Sequence, residues 1–268
     1  MRPALTLRSI LLFATWFTAA ANAATLTVGG SGCQFPTVQK ALDHAALSAA
    51  SDEIRVANTL VYTQQALTKS DPYDVSVTGG YANCNIATSP TGSTVLDGSG
   101  RNASVLTVTN GSIQLANLVI TGGAPLSGRG GGVQVRGSAQ LTTFSNVRIT
   151  ANRAGEGGGL AIVGSPNRTL SFHAQNLVVD HNYSSVAGGG FWATYAQAVK
   201  QSAGMRVAYN ETGGDGGGAW LGPNAVMHLW SSKYPSGFVD NLAKGNGGGV
   251  AVVRGASLAI FHAGGPAQ

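Results

Sequence analysis

The chain has 268 residues, of which only 10% are charged, against roughly 25% in typical soluble proteins. Hydrophobic residues make up 43%, which excludes an intrinsically disordered chain. The net charge is +5, but Lys and Arg are scattered singly, which argues against nucleic acid as a partner. Glycine, with 39 residues, is about twice as frequent as usual, and this favours a β-protein with many tight turns.

The first 23 residues have the pattern of a secretory signal peptide. Arg2 and Arg8 precede an apolar run at 10–21, and Ala-Asn-Ala at 21–23 matches the small-x-small cleavage pattern. The apolar run is shorter than the about 20 residues that a transmembrane helix needs. We therefore predict cleavage after residue 23 and a secreted or cell-surface chain with no membrane span. Removal of the two arginines leaves 14 basic and 11 acidic side chains, a net charge of +3.

Residues 24–53 are predicted to form an N-terminal cap of one strand and one helix. Apolar residues recur at helical spacing between 35 and 50: Val38, Leu42, Ala45, Ala46 and Ala49. Strand character returns from residue 51. The phrase FPTVQKALDHA followed by DEIRV resembles the opening of the pectin-lyase-like right-handed parallel β-helix proteins, and the resemblance implies a helix that plugs the N-terminal end of the coil.

The two cysteines, Cys33 and Cys84, are predicted to form a disulfide. Export places the chain in an oxidising compartment, where such bonds persist. No histidine lies at ligand spacing beside either residue, which argues against a metal pair or a catalytic thiol.

From residue 54 to 268 the chain repeats a phrase of Asn, seven or eight residues and a glycine triplet. The last glycines of five triplets are 27, 31, 28 and 31 residues apart: Gly132, Gly159, Gly190, Gly218 and Gly249. The asparagines before the later triplets are 30, 28 and 31 residues apart: Asn152, Asn182, Asn210 and Asn241. A repeat of this length predicts a solenoid, propeller or array.

Each repeat contains three short strands and no helix. One and three residues after each triplet the side chain is apolar, which is the period of a strand with one buried face. A second strand ends at the repeated Asn, as in NVRITAN and NLVVDHN, and a third apolar stretch lies between them. We predict an all-β, right-handed parallel β-helix of six or seven coils between 54 and 264, with an uncapped C-terminal end.

The repeated asparagines are interpreted as a structural ladder. Equivalent residues of successive coils stack about 4.8 Å apart, so their amides can bond along the column. Asn also tolerates the left-handed conformation of a sharp turn, and glycine supplies positive φ or room for the next coil.

Residues 33–262 resemble exported right-handed β-helix repeat proteins of bacteria, including polymorphic outer-membrane-like proteins. Polysaccharide lyases and hydrolases share the pectin-lyase-like coil, and the resemblance implies that such enzymes need calcium-binding acidic groups with a basic residue, or neighbouring aspartates. In the repeats, Asp180 and His181 are interpreted as an exposed turn. Glu156 and Asp215 lie two coils apart and are interpreted as solvated charges. We predict no catalytic residue, metal or cofactor.

Trp192 and Trp220 occupy the same outward position on adjacent coils, so their rings are expected about 5 Å apart, with Tyr195 beside them. Such a pair is a candidate platform for sugar rings or a protein partner. The alternatives are that a loop covers the pair, or that a register slip places one ring inside.

The sequence thus favours an exported, non-catalytic binding or surface-interaction module for a polysaccharide or another cell-surface component. One alternative is a polysaccharide lyase or hydrolase with an unrecognised site. Another is a structural or truncated scaffold whose C-terminal end self-associates or pairs with a missing segment.

Overall fold

The computed structural model of the protein describes residues 22–85, 89–198, 202–231 and 236–262. Residues 1–21 of the predicted signal peptide and the end of the chain from 263 onward lie outside this part. Every pairing between its strands is parallel, in stacks that run along one axis. The predicted all-β parallel β-helix is confirmed.

The N-terminal elements are one helix and five short strands: β1 Thr25–Val28, α1 Val38–Ala45, β2 Asp52–Ala57, β3 Leu67–Lys69, β4 Val75–Tyr81 and β5 Thr94–Asp97. The middle of the chain contains three long strands that bend around corners: β6 Leu106–Thr121, β7 Val133–Thr150, β8 Arg153–Glu156, β9 Leu160–Val163, β10 Leu170–Asp180 and β11 Tyr183–Ala187. The remaining strands are again short: β12 Phe191–Thr194, β13 Ala196–Ala198, β14 Ser202–Ala208, β15 Glu211–Thr212, β16 Ala219–Leu221, β17 Val226–Ser231, β18 Gly237–Val239, β19 Leu242–Ala243, β20 Val250–Val252 and β21 Ser257–His262.

Three stacks of strands form the walls of the coil. The triplet sheet follows the glycine triplets and contains β3, β9, β12, β16, β20 and the first parts of β6 and β7. The asparagine sheet contains the segments that end before the repeated asparagines, from β5 to β18. The third sheet runs from β1 to β21. The structure has about eight turns, more than predicted, because β1 pairs with β2 and adds a turn before residue 54.

Alternate side chains of all three sheets point inward and form one continuous core. In the asparagine sheet, Val147, Leu177 and Met205 lie in one column and are completely or almost completely buried. Burial of each such side chain contributes roughly 1.5–3 kcal/mol. The inward pattern that the sequence predicts after each triplet is confirmed for Leu160 and Phe191, which are fully buried.

The helix is shorter than its apolar pattern predicts. Thr37 caps its first turn by accepting a hydrogen bond from the backbone N–H of Lys40, and four residues face the first coil: Val38, Ala41, Leu42 and Ala45. Ala49 was expected on the same face but is exposed and outside the helix. The chain turns back before this residue because it must enter β2 at Asp52.

The predicted disulfide between Cys33 and Cys84 is confirmed. It joins the loop after β1 to the loop after β4, with the two Cα atoms 5.2 Å apart. The described residues contain no helix long and apolar enough to cross a membrane.

Candidate functional site

The repeated asparagines form a column inside one corner of the coil. The side-chain oxygen of Asn182 accepts from the backbone N–H and Nδ2 of Asn152, and Asn210 accepts from Asn182 in the same way. Asn241 continues the column by accepting from Asn210 at 3.0 and 2.9 Å. The first three members are buried, so the column is a structural element with no surface for a ligand.

The left-handed residue of this corner is the one before the asparagine, which corrects the conformational role assigned to Asn from the sequence. Ala151, His181, Tyr209 and Asp240 have φ between 49° and 54°. The asparagine that follows turns its amide inward, where it bonds the backbone of the adjacent coils. The side chain at the left-handed position points away from the core, so its type varies freely between coils.

A second asparagine column, which the sequence interpretation missed, lies at another corner and is exposed. Asn117, Asn146 and Asn176 have φ between 52° and 56°, and the Nδ2 of each later residue donates to the side-chain oxygen of the one before. Each opens a strand that the repeat alignment already contains, so a spacing of 29 and 30 residues was the available signal.

The predicted tryptophan pair stacks, but Trp192 is not exposed as expected. The two indole rings of Trp192 and Trp220 are 5.3 Å apart and 8° from parallel. Trp192 is only 5% exposed, because the guanidinium of Arg129 lies 4.5 Å from its ring centre in the space that Ala161 leaves open. Trp220 is half-buried. The pair therefore offers at most the outer part of one ring.

Tyr195 lies at the turn after β12 and is half-buried. Its φ of 45° and the hydrogen bond from its backbone N–H to the carbonyl of Pro223 define a corner of the coil. Its backbone oxygen also accepts from the N–H of Leu170. The residue is thus held mainly by its backbone contacts with neighbouring coils.

Two carboxylates interpreted as solvated or exposed are paired with arginines instead. Glu156 forms an ion pair with Arg129, the residue that covers Trp192. Asp180 is 4% exposed, and Arg148 of the preceding coil donates to both of its oxygens. The prediction of an exposed Asp180 was wrong because Arg148 faces a position two residues earlier on the same side of the sheet and reaches across.

The pKa of Asp180 is lowered. Burial by itself would raise it, but hydrogen bonds from Arg148, Thr150 and His181, together with the charge of Arg148, outweigh burial. A carboxyl group with this pKa is ionised at neutral pH and is a weak base, so it suits neither role in acid–base catalysis.

The most exposed aromatic cluster lies on the outer face of the third sheet. Trp230 and Phe261 stack with ring centres 4.6 Å apart and an angle of 22°, and the ring of His228 meets Phe261 edge-on at 5.9 Å. Phe261 is 38% exposed, and His228 is exposed as well. The sequence signal that was missed is the separation of 31 residues between Trp230 and Phe261, which equals one repeat.

No protein-family description and no curated protein matches this chain. One solved structure is similar. It is the pectin methylesterase from Aspergillus niger, with 14% identity, a TM-score of 0.38, and coverage of 90% of this chain and 85% of that chain. A similarity at this level carries no information about activity.

Acidic residues come together in one groove of about 210 Å³ on the third sheet, which Asp52 and Asp74 line with Ser76, Gln114 and Thr143. Asp74 accepts a hydrogen bond from the backbone N–H of Ser112. Within the described ranges, no group of three or more His, Cys, Asp or Glu residues is arranged to hold a metal ion.

Proposed function

We propose that the protein is an exported, non-catalytic carbohydrate-binding β-helix whose contact surface is the cluster of His228, Trp230 and Phe261. The observation that carries this proposal is the exposure of the stacked Trp230 and Phe261 rings on the outer face of a sheet. Aromatic rings provide a large, rigid apolar area, and sugar rings pack their C–H faces against such surfaces.

The surroundings of the cluster support the same proposal. Six residues of β17 pair in continuous register with β21, so the rings are held on a regular sheet and lose little conformational freedom on binding. The exposed imidazole of His228 supplies a hydrogen-bond donor and an acceptor for hydroxyl groups. The predicted net charge of +3 after signal-peptide removal favours acidic polysaccharides.

Co-sedimentation with insoluble polysaccharides, including pectin-rich cell wall, tests the proposal. We expect the wild-type protein to sediment with at least one of them, and Trp230→Ala and Phe261→Ala to lose most of this binding. Trp220→Ala is the matched control, because it removes an outward tryptophan that is also stacked but belongs to another sheet.

Two outcomes would contradict the proposal. If Trp220→Ala abolished binding while Trp230→Ala did not, the contact would lie on the pair predicted from the sequence. If the wild-type protein bound no polysaccharide in the panel, carbohydrate binding itself would be wrong. Release of soluble sugar or of a small product during incubation would contradict the non-catalytic part.

A further inference from the structure

Asp52 is a buried carboxylate at the start of β2. Its side chain is within a residue that is 3% exposed, and among the described residues no ion pair includes it. One oxygen accepts from the backbone N–H of Ala24 at 2.7 Å, and the other accepts from the hydroxyl of Ser48 at 3.3 Å. A buried carboxylate without a cation is costly, even when it is hydrogen-bonded.

The backbone of the first strand fixes the nitrogen of Ala24 beside this carboxylate. The carbonyl oxygen of Ala24 accepts from the N–H of Glu53, and Thr25 then pairs with Glu53 in the ladder between β1 and β2. Residues 22–24 are exposed and belong to no helix or strand. The bond between residues 23 and 24 is also the cleavage site that the Ala-Asn-Ala pattern predicts.

We propose that signal-peptide cleavage after Ala23 converts the amide nitrogen of Ala24 into an ammonium group that forms a buried ion pair with Asp52. A signal peptidase adds water across the peptide bond, Ala23 leaves as a carboxylate with the signal peptide, and the new amine of Ala24 takes up a proton. An α-amino group is mostly protonated at pH 7. The hydrogen bond to Asp52 is kept and becomes charge-assisted, which strengthens it. Processing thereby supplies the missing cation of the first coil.

The test uses the protein exported and processed by a host with a signal peptidase. Intact mass and N-terminal sequencing are expected to give a chain that begins at Ala24. Urea unfolding is then compared for the free and the enzymatically N-acetylated protein, in the wild type and in Asp52→Asn. We expect acetylation to raise the unfolding equilibrium constant about tenfold in the wild type and to leave that of Asp52→Asn unchanged.

Asp74→Asn is the matched control, because Asp74 lines the same groove without bonding Ala24. In this variant acetylation should have its full wild-type effect. A chain that begins at another residue, or an acetylation effect of equal size in Asp52→Asn, would overturn the proposal. If Asp52→Asn does not fold, the wild type still decides: its α-amine should react with an acylating reagent at least tenfold more slowly when folded than in urea, and equal rates would refute the ion pair.

Discussion

The side-chain oxygen of Asn182 accepts two hydrogen bonds from Asn152, one from the backbone N–H and one from Nδ2, and both are 3.0 Å long. The Nδ2 of Asn182 in turn donates to the carbonyl of Ile149 and to the side-chain oxygen of Asn210. One amide group thus satisfies the polar groups of three successive coils at a corner where the strands end. Because the corner is buried, water cannot replace these bonds.

Replacement of Asn182 by Ala should therefore destabilise the protein strongly. Several buried donors and acceptors lose their partners, and we expect the free energy of unfolding to fall by about 3 kcal/mol. Urea unfolding followed by circular dichroism measures this loss.

The matched control is Asn146→Gly in the exposed asparagine column. Glycine keeps the left-handed conformation, and water replaces the lost side-chain bonds, so the loss should stay below about 1 kcal/mol. Equal losses for Asn182→Ala and Asn146→Gly would show that burial of the inner column contributes nothing.

Ala151→Gly should stabilise the protein. Ala151 is exposed and has a φ of 54°, a conformation that costs an L-residue roughly 1–2 kcal/mol but glycine little. After the larger entropy of the unfolded glycine chain is subtracted, we expect a gain of about 0.5–1 kcal/mol in the free energy of unfolding. Ala116→Gly, at a regular strand position of β6, should instead destabilise by about 0.5–1 kcal/mol. If both changes destabilised the protein, the strain at Ala151 would be refuted.

The ion pair between Asp180 and Arg148 should contribute stability at neutral pH and lose it in acid. The pKa of Asp180 is lowered in the folded protein, so its contribution is complete above the unfolded value of about 4 and disappears as the pH falls through the lower folded value. Asp180→Asn should unfold more easily than the wild type at pH 7, by about 1 kcal/mol, since Arg148 is half-exposed. Urea unfolding from pH 7 down to pH 2 should show this gap closing, and a gap independent of pH would contradict the assignment.

Removal of the disulfide between Cys33 and Cys84 should lower the free energy of unfolding by about 2–4 kcal/mol. The bond spans 51 residues of sequence, and the loss of loop-closure entropy sets the size of the effect. Thermal or urea unfolding with and without a reductant measures it in the wild type. The double variant Cys33→Ser and Cys84→Ser should show the same loss and no further response to reductant.

The repeat spacing alone was enough to predict the strands and their parallel stacking. Inward positions such as Leu160 and Phe191 alternate with outward ones, and a period of two residues has only one explanation in a coil of this kind. The number of turns was underestimated because β1 lies in a segment without the glycine triplet. Its pairing with β2 depends on a register that no local pattern carries.

The sequence by itself determined the parallel β-helix, the column of repeated asparagines and the pairing of the two cysteines, because each follows from spacing and residue type. Only the tertiary structure decided which side chains are covered. Arg129 buries Trp192, Arg148 reaches Asp180, and the exposed rings are Trp230 and Phe261. The physical reason is that a long side chain extends over a neighbouring coil about 5 Å away, so exposure depends on residues roughly thirty positions distant and on their rotamers, which a repeat pattern does not encode.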